Sequence, residues 1–203
     1  MHIAIVDHGF ANLGSVDRML RRVEVLPEIT SDPERIKRAD KIILPGVGSY
    51  DPPLRAMRAS GMYDAVTEHV SAGKPILGIC VGLQMMTQGS DEGSEDGFGW
   101  IKGRLSALRN VVKPGTKVPH MGWNVIRKPD GSRLLADFPD LSKFYFLHSY
   151  ALLKGDAGAL NISCTHDVDF VAAFEKDNIF GAQFHPEKSH KFGMNFFSNF
   201  AKL

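Results

Sequence analysis

Cys80 stands at the end of an apolar run, in the stretch Gly78-Ile79-Cys80-Val81-Gly82, where its residue type and setting suggest chemistry. The run predicts a buried strand that ends at Ile79, and a helix is predicted to begin at Val81. A cysteine on the sharp turn between them would lie exposed above the strand end, as in a nucleophile elbow. Glycine on either side suits backbone that passes close to backbone. A free cysteine is also often a small buried hydrophobic residue, so this stretch alone leaves both interpretations open.

A second chemical signal follows a later strand, where His185 and Glu187 flank Pro186. Residues two apart in an extended segment point to the same face, and the proline is predicted to keep the backbone extended. A carboxylate can then accept a hydrogen bond from one ring nitrogen and leave the other free to take a proton from a thiol. A surface turn is the alternative for this triplet alone. Together with Cys80, the pair favours catalysis by a thiol.

Short apolar strands alternate with helices over roughly the first 90 residues, a pattern typical of a parallel sheet covered on both faces. The predicted strands are His2–Val6, Lys41–Leu44 and the run before Cys80; the predicted helices are Asn12–Arg22, one opened by Ser31–Glu34, Pro53–Ser60 and Met62–Ser71. Ser31 or Asp32 is the expected N-cap of the second helix. Sites in such sheets form at the carboxyl ends of the strands, which places the Gly9 turn, the turn Pro45–Gly48 and Cys80 at one edge.

The character of the chain changes after Gln88. Residues 89–97 are polar and rich in glycine, and they predict a loop without a core. Five strands that look antiparallel follow, namely Val118–Ile126, Phe144–Leu152, Leu160–Thr165, Phe170–Glu175 and Ile179–Phe184. The last predicted helix, Ser189–Ala201, carries a stripe of phenylalanines that we assign to the core. The predicted fold is α/β: one domain over residues 1–203, with a mixed sheet whose parallel core is flanked by helices and extended by antiparallel strands.

Composition argues against several classes of protein. A formal net charge of +1 gives no basic surface for nucleic acid, and no apolar stretch approaches the roughly 20 residues that a membrane span needs. The start Met1–Val6 lacks the flanks of a signal peptide, so we expect a cytosolic protein. Cys80 and Cys164 could pair, but a disulfide would be unusual in the cytosol, and Cys164 is assigned to the core. We assign neither a metal nor a cofactor.

Several stretches carry a family resemblance. Those that resemble class I glutamine amidotransferases of the triad type are Gly78–Gln84, Pro45–Gly48 and Gln183–Glu187. Those that are similar to the glutaminase subunits of imidazole glycerol phosphate synthases are Pro119–Asn124, Phe144–Tyr150 and His185–Ser189. The resemblance covers essentially the whole chain and implies the α/β fold of that family.

The resemblance implies a role for each matching residue. The catalytic triad would be Cys80, His185 and Glu187. Backbone N–H groups of Val81 and of the turn at Val47 and Gly48 would hold the oxyanion, and the glycines of that turn would permit a peptide flip that switches the enzyme. The residues implied for glutamine are Gly46, Gln84, Glu92, His148, Ser149 and Tyr150. Glu95 is the alternative to Glu92 for the α-amino group, and a solvated loop acid is the plainer interpretation of Glu92.

The same resemblance implies a partner. Free ammonia in water would be largely protonated, so a glutaminase of this length needs a synthase subunit, which in the family is a (β/α)₈ barrel cyclase bound as a heterodimer. The positions that match the family's interface are Asn12, Met121, Trp123, Asn124 and Lys188. Trp123 is the candidate hot spot by residue type, although a tryptophan in an apolar strand is more often a core residue.

The implied activity is hydrolysis of L-glutamine to glutamate and ammonia through a Cys80 thioester. The ammonia would pass to the synthase subunit, which makes imidazole glycerol phosphate and AICAR in histidine biosynthesis. The chain departs from the family at His8, where tyrosine is usual, and at Ala11, where glycine is usual. Leu13–Val16 and Lys188–Met194 resemble paralogues that feed ammonia to a sugar amidotransferase in surface-polysaccharide (O-antigen) synthesis, which is the alternative. A stand-alone thiol hydrolase and a non-catalytic binding subunit are the alternatives from other classes.

Overall fold

The strands and helices of a computed structural model, which describes residues 1–203, follow the predicted order. The strands are β1 (Ile3–Val6), β2 (Glu28–Thr30), β3 (Lys41–Gly46), β4 (Ile76–Cys80), β5 (Gly89–Ser90), β6 (Arg104–Ala107), β7 (His120–Arg127), β8 (Lys143–His148), β9 (Tyr150–Ala151), β10 (Leu160–His166), β11 (Val168–Lys176) and β12 (Ile179–Ala182). The helices are α1 (Leu13–Arg22), α2 (Pro33–Arg38), α3 (Asp51–Ser60), α4 (Met62–Ser71), α5 (Val81–Met85) and α6 (His190–Lys202). Two 3₁₀ turns lie at Leu108–Asn110 and Pro186–Lys188.

Nine of the strands form one sheet in the order β2-β1-β3-β4-β12-β11-β10-β7-β8. The first five run parallel, and the other four continue antiparallel. This mixed sheet confirms the predicted α/β fold of a single domain. β1, β3 and β4 are buried along their whole length, as expected of strands covered on both faces. No helix combines the length and the apolar character that crossing a membrane requires.

β12 joins the two halves of the sheet, and the prediction that it belongs with the antiparallel strands is half wrong. It pairs antiparallel with β11 but parallel with β4, where Ala182 lies opposite Ile79. A short buried strand has the same residue pattern in either direction, so its own sequence could not decide. Because β4 and β12 run parallel and in register, the residues after Ala182 leave the sheet at the edge where Cys80 lies.

Three details of the predicted strands also need correction. The predicted strand Phe144–Leu152 is two strands. The strand is interrupted at Ser149, and β9 then joins a small sheet of order β5-β6-β9. The polar segment after Gln88 was predicted as loop, but it begins with β5, which is buried and pairs with β6. β2 was missed, because three residues at a sheet edge show no periodic pattern.

Aromatic side chains fill the core beneath the antiparallel half. Phe196, Phe197 and Phe200 of α6 are buried, which confirms the predicted core stripe for these three positions. Phe184 stacks on Phe144 with ring centroids 4.0 Å apart and meets Phe196 edge to face at 5.3 Å. Such pairs add about 0.5–1.5 kcal/mol to the burial of the rings. They anchor the segment that leads from β12 towards His185.

Helix α5 packs directly on backbone, and glycine makes this possible. A Cβ at Gly82 would lie 1.7 Å from the carbonyl oxygen of Leu44, and a Cβ at Gly78 would lie 2.7 Å from the carbonyl carbon of Gly82. Neither neighbour is a side chain that could move aside. The start of α5 is therefore held against β3 and β4, and this contact fixes the turn between β4 and α5.

Replacing Gly82 by alanine should destabilise the protein by about 1–3 kcal/mol or more, because the added methyl group overlaps a backbone carbonyl. Gly14→Ala is the matched control, since its Cβ would meet only the end of the Arg18 side chain, 3.4 Å away, within α1. That change should be neutral or stabilising by up to about 1 kcal/mol. Chemical denaturation measures both. Equal stabilities of the two variants would contradict the backbone contact.

Candidate active site

The Cys80 thiol lies on a strained turn between β4 and α5. Its backbone angles are φ +55° and ψ −110°, a conformation that a residue with a side chain rarely adopts. Cys80 is 5% exposed, and its sulfur reaches the wall of a cavity. Strain of this kind persists only where the surrounding packing imposes it, as Gly78 and Gly82 do here. The geometry is that of a nucleophile elbow.

His185 and Glu187 meet in a way that the sequence did not predict. His185 Nδ1 lies 2.7 Å from Glu187 Oε1, and both side chains are 3% exposed. The expectation of an extended segment is wrong, because Pro186 begins a 3₁₀ turn through Lys188. A proline fixes only its own φ, and a value near −65° suits the first turn of a helix as well as a strand. The turn, rather than the alternation of a strand, brings the carboxylate to the ring.

The charge on this pair follows from its surroundings. Burial opposes a charged His185 ring, but the interactions with Cys80 and Glu187 outweigh burial and raise the pKa of His185 to about 10. Glu187 Oε2 is buried without a hydrogen-bond partner, so the hydrogen bond of this carboxylate goes to His185 alone. At neutral pH the ring is therefore an imidazolium, a cation beside the sulfur of Cys80.

The backbone around His185 is held by hydrogen bonds to β8. His185 N–H donates to the Tyr145 carbonyl at 2.8 Å, and Tyr145 N–H donates to Ser189 Oγ at 3.0 Å. Ser189 Oγ in turn donates to the His185 carbonyl at 2.7 Å. This ring of contacts fixes the direction from which the imidazole approaches Cys80.

A cavity of about 510 Å³ opens above Cys80 and collects most of the predicted site residues. Its walls are formed by Asn12, Val47, Gly48, Cys80, Val81, Gln84, Glu92, Pro119, Leu147, His148, Ser149, Tyr150, His185 and Lys188. Pro119 and Leu147 were not singled out from the sequence. Glu187 lies behind His185 rather than at the wall. A cavity of this size with a nucleophile, an imidazolium and a carboxylate suits a small polar substrate.

Gly46 does not line the cavity. A Cβ at this residue would lie 2.8 Å from the Cβ of Val81 and 2.9 Å from the backbone nitrogen of Gly82. Its place supports a role in packing the turn that carries Cys80, rather than the predicted contact with glutamine. No group of three or more histidine, cysteine or acidic side chains is arranged to hold a metal ion.

Glu92, and not Glu95, is the glutamate at the cavity. Glu92 Oε2 accepts a hydrogen bond from Tyr50 N–H at 3.0 Å, and burial raises the pKa of Glu92. Glu95 forms ion pairs with Arg55 and Arg58 away from the cavity. The surrounding segment is not a free solvated loop, because Asp51 accepts hydrogen bonds from the N–H groups of residues 94 and 95.

Gln183 is a residue of the site that sequence reasoning missed. Its Nε2 lies 3.8 Å from Cys80 Sγ, and its Oε1 accepts a hydrogen bond from Gln84 Nε2 at 3.1 Å. Gln84 Nε2 also lies 3.3 Å from the Tyr150 carbonyl oxygen. The only signal in the sequence was a polar residue inside an otherwise apolar strand pattern, two positions before His185.

The turn predicted to hold the oxyanion is tied to the first turn of the chain. Val47 N–H donates to the Phe10 carbonyl at 2.9 Å and so does not point into the cavity. His8 Nε2 donates to the Pro45 carbonyl at 2.6 Å, while His8 Nδ1 accepts from Phe10 N–H at 3.3 Å. Burial lowers the pKa of His8, which keeps the ring neutral and Nδ1 able to accept. Two hydrogen bonds therefore tie the turn Pro45–Gly48 to the first turn, and a third holds Phe10 within that first turn.

The three predicted interface residues on β7 lie on its two opposite faces. Met121 is 66% exposed and Trp123 is 46% exposed, so Trp123 is not a core residue. Asn124 lies on the opposite face, because side chains alternate along a strand, and its amide donates to the Thr165 carbonyl of β10 at 2.9 Å. The expectation that Asn124 itself faces a partner is not supported by this orientation.

An exposed surface adjoins the opening of the cavity. Lys188 lies at the cavity wall with its Nζ 5.6 Å from the centre of the Tyr145 ring, and Trp123 meets Tyr145 edge to face at 6.2 Å. Trp123 also stacks on His190 with ring centroids 5.3 Å apart. We call the surface formed by Asn12, Met121, Trp123 and Lys188 the mouth face. Its exposed apolar and aromatic groups are of the types enriched in protein interfaces.

Comparison with known proteins assigns the family. The sequence matches the family described as glutamine amidotransferase class-I over residues 4–203. Solved structures share the fold: PurLQS from Thermotoga maritima aligns with a TM-score of 0.74 at 20% identity, over 99% of this chain and 97% of that one. The glutaminase domain of CTPS from Trypanosoma brucei aligns with a TM-score of 0.62 at 14% identity, over 100% of this chain and 94% of that one.

Relatives of nearly equal length are more similar in sequence. The Pseudomonas aeruginosa protein named imidazole glycerol phosphate synthase subunit HisH 2 is 43% identical over 202 residues, which are 99% of each chain. The Nitrosospira multiformis protein named imidazole glycerol phosphate synthase subunit HisH is 40% identical over 207 residues, 98% of this chain and 97% of that one. The chain therefore belongs to the class-I glutamine amidotransferase family and, within it, to the family of imidazole glycerol phosphate synthase HisH subunits.

Proposed function

We propose that this chain is the glutaminase subunit of an imidazole glycerol phosphate synthase, which hydrolyses L-glutamine and passes the ammonia to a cyclase subunit. The observation that carries the proposal is the arrangement of Cys80, His185 and Glu187 at a cavity in a chain of this family. The cyclase would use the ammonia to make imidazole glycerol phosphate and AICAR in histidine biosynthesis. We place this chemistry in the cytosol, where free thiols such as Cys80 and Cys164 stay reduced.

The reaction begins when the Cys80 thiolate attacks the side-chain amide carbon of glutamine. A C–S bond forms, and the carbonyl oxygen takes the negative charge of a tetrahedral intermediate. The His185 imidazolium gives its proton to the departing nitrogen, and ammonia leaves as the C–N bond breaks. The neutral ring then takes a proton from water, which attacks the thioester. The C–S bond breaks and restores the thiolate beside the imidazolium, and the new carboxylic acid gives its proton to water and leaves as glutamate.

Glu187 acts through His185 rather than on the substrate. Its hydrogen bond to Nδ1 leaves Nε2 free to exchange a proton on the Cys80 side and stabilises the ring when it is charged. Glu92 would receive the α-ammonium group of glutamine, since it is the carboxylate at the cavity wall. Gln84 and the backbone of His148–Tyr150 would hold the rest of the amino-acid end.

The oxyanion site is incomplete while Val47 N–H bonds to Phe10. Val81 N–H, at the start of α5, is one donor for the developing charge. A second donor needs the Val47–Gly48 peptide to turn towards the cavity, and Gly48, at φ +88° with open space at its Cβ position, permits such a change. Because Asn12 of the mouth face lies close in sequence to Phe10, a docked partner could release this turn.

The proposed partner is a (β/α)₈ barrel cyclase that forms a heterodimer through the mouth face. Ammonia that escaped into water would be protonated and lost as a nucleophile, so the cavity opening beside Asn12 and Lys188 has to be covered. A sugar amidotransferase partner in surface-polysaccharide synthesis would use the same glutaminase half, with a different acceptor. Copurification with each candidate, followed by assay of glutaminase stimulation, decides between them.

Replacing Cys80 by alanine should abolish glutamine-dependent turnover of the complex and leave turnover with added ammonium salt intact, because only the ammonia supply is lost. Both activities are measured with the copurified synthase subunit. Cys164→Ala is the control, since this second buried cysteine lies in β10 away from the cavity. Loss of the ammonia-dependent activity in Cys80→Ala would refute the role as ammonia donor. If added glutamine releases no ammonia, with or without either partner, a stand-alone thiol hydrolase is favoured instead.

Replacing Glu187 by glutamine should lower kcat for glutaminase by about 10³- to 10⁴-fold, since the ring loses the charge that orients and stabilises it. The pKa of His185, followed by ¹⁵N NMR, should fall in the variant because one of the two interactions that raise it is removed. Glu175→Gln is the matched control, because Glu175 is a buried carboxylate bound by Ser132 and Leu134 far from the cavity. An unchanged pKa of His185 would contradict the assignment.

The raised pKa of His185 also predicts how the stability of the fold changes with pH. The folded-state pKa of His185 lies above its ordinary value of about 6.5, so its contribution to stability is complete below about pH 6.5 and is lost as the pH rises through about 10. The free energy of unfolding of the wild type should fall over this window, and it should fall less in Glu187→Gln. A rise with pH would mean that the ring is neutral in the folded protein.

Replacing His8 by leucine should raise the glutaminase rate of the free subunit by about tenfold to 100-fold, because it removes one of the two hydrogen bonds to the oxyanion turn and the bond that holds Phe10, the partner of the other. Glutamate release without any partner measures the effect. His69→Leu removes another buried histidine, which bonds the Pro75 carbonyl instead, and should leave the rate unchanged. A folded His8→Leu protein with an unchanged or lower rate would contradict the role of His8.

A further inference from the structure

A line of buried and partly buried hydrogen bonds begins at Asn124 on the inward face of β7 and ends at the backbone of the cavity wall. Asn124 Nδ2 lies 3.2 Å from His120 Nε2, and His120 Nδ1 lies 3.0 Å from His148 Nε2. His148 Nδ1 lies 3.0 Å from the Tyr150 carbonyl oxygen. None of the predicted roles involved His120, which is buried and does not line the cavity.

The chemistry of the end groups fixes the direction of every bond in this line. The Tyr150 carbonyl can only accept, so His148 Nδ1 carries the hydrogen. In a neutral ring, His148 Nε2 is then an acceptor, so His120 Nδ1 must donate to it. His120 Nε2 is left to accept from the Asn124 amide. Burial lowers the pKa of His148 to about 3 and that of His120 to about 4, which keeps both rings neutral at neutral pH.

The line continues from Tyr150 to the nucleophile. The same Tyr150 carbonyl accepts from Gln84 Nε2 at 3.3 Å. The other hydrogen of this amide goes to Gln183 Oε1 at 3.1 Å, and Gln183 Nε2 lies 3.8 Å from Cys80 Sγ. The Tyr150 carbonyl therefore accepts from His148 of β8 and from Gln84 of α5, and it links the line that starts on β7 to Gln183 and Cys80.

The rings packed around His120 hold its imidazole in one orientation. Its ring stacks on His166 with centroids 4.2 Å apart and on Phe146 at 4.8 Å, and Phe170 meets its edge at 5.5 Å. His166 makes no bond in the line, because its Nε2 bonds the Lys117 carbonyl at 2.8 Å. A ring held between two others cannot flip to exchange its nitrogens without disturbing the core.

We propose that His120 of β7 is a positioning residue for glutamine binding: its ring is oriented by the Asn124 amide, and through His148 it holds the Tyr150 carbonyl and the Gln84 amide in place. The outward face of β7 carries Met121 and Trp123 of the mouth face, so the strand that would contact a partner also sets the geometry of the amino-acid end of the cavity. The proposal rests on the proposed glutaminase function.

The test compares His120→Phe with His166→Phe in the complex with its synthase subunit. Phenylalanine keeps a flat ring at either position, but only the change at His120 removes the hydrogen bonds to His148 and Asn124. We expect the KM for glutamine to rise about tenfold in His120→Phe with kcat changed less, since the loss of a buried hydrogen-bond partner is worth about one factor of ten in binding. His166→Phe should keep the KM of the wild type. An equal KM in the two variants would overturn the proposal.

A second measurement does not depend on activity or on the variants' folding. In ¹⁵N-labelled wild-type protein at pH 7, His120 and His148 should both be neutral with the hydrogen on Nδ1. A hydrogen on Nε2 of either ring, or a charged ring, would overturn the proposal even if both variants fail to fold. If the wild type releases no glutamate, the glutaminase function fails, whereas the positions of these hydrogens still test the line by itself.

Discussion

The contact between the backbone of α5 and the backbone of β3 and β4 is the constraint on which the site depends. Without side chains at Gly78 and Gly82, the first turn of α5 lies against the carbonyl of Leu44. That approach leaves Cys80 no room for an ordinary conformation and forces it to φ +55°. The sulfur is thereby presented at the carboxyl edge of the parallel strands, where β3 and β12 also end.

The electrostatics of the site build on this frame. β12 runs parallel to β4, so the chain that follows it brings His185 to the sulfur, and the 3₁₀ turn then folds Glu187 back on the ring. Each step replaces water around a charged group by a fixed partner. The result is a cation held beside the nucleophile by buried partners, where charge interactions are stronger than in water.

The sequence predicted those parts of the site whose signals are local. Cys80 stands between glycines, His185 and Glu187 are two residues apart, and the apolar runs define most strands within a residue or two. What it could not predict are contacts between distant segments. Gln84 and Gln183 meet across 99 positions, and His8 meets the Pro45 carbonyl across 37. The direction of β12 and the 3₁₀ turn at Pro186 likewise depend on neighbours and not on local residue pattern.

The strain at Cys80 has a consequence for how such a protein can be improved. A left-handed backbone costs a residue with a side chain about 1–2 kcal/mol, a cost that glycine avoids. Glycine at this position would relieve backbone strain, but the nucleophile cannot be replaced without loss of the chemistry. Directed evolution for heat resistance, without selection for ammonia release, would therefore accept substitutions of this residue that stabilise the fold and abolish the activity.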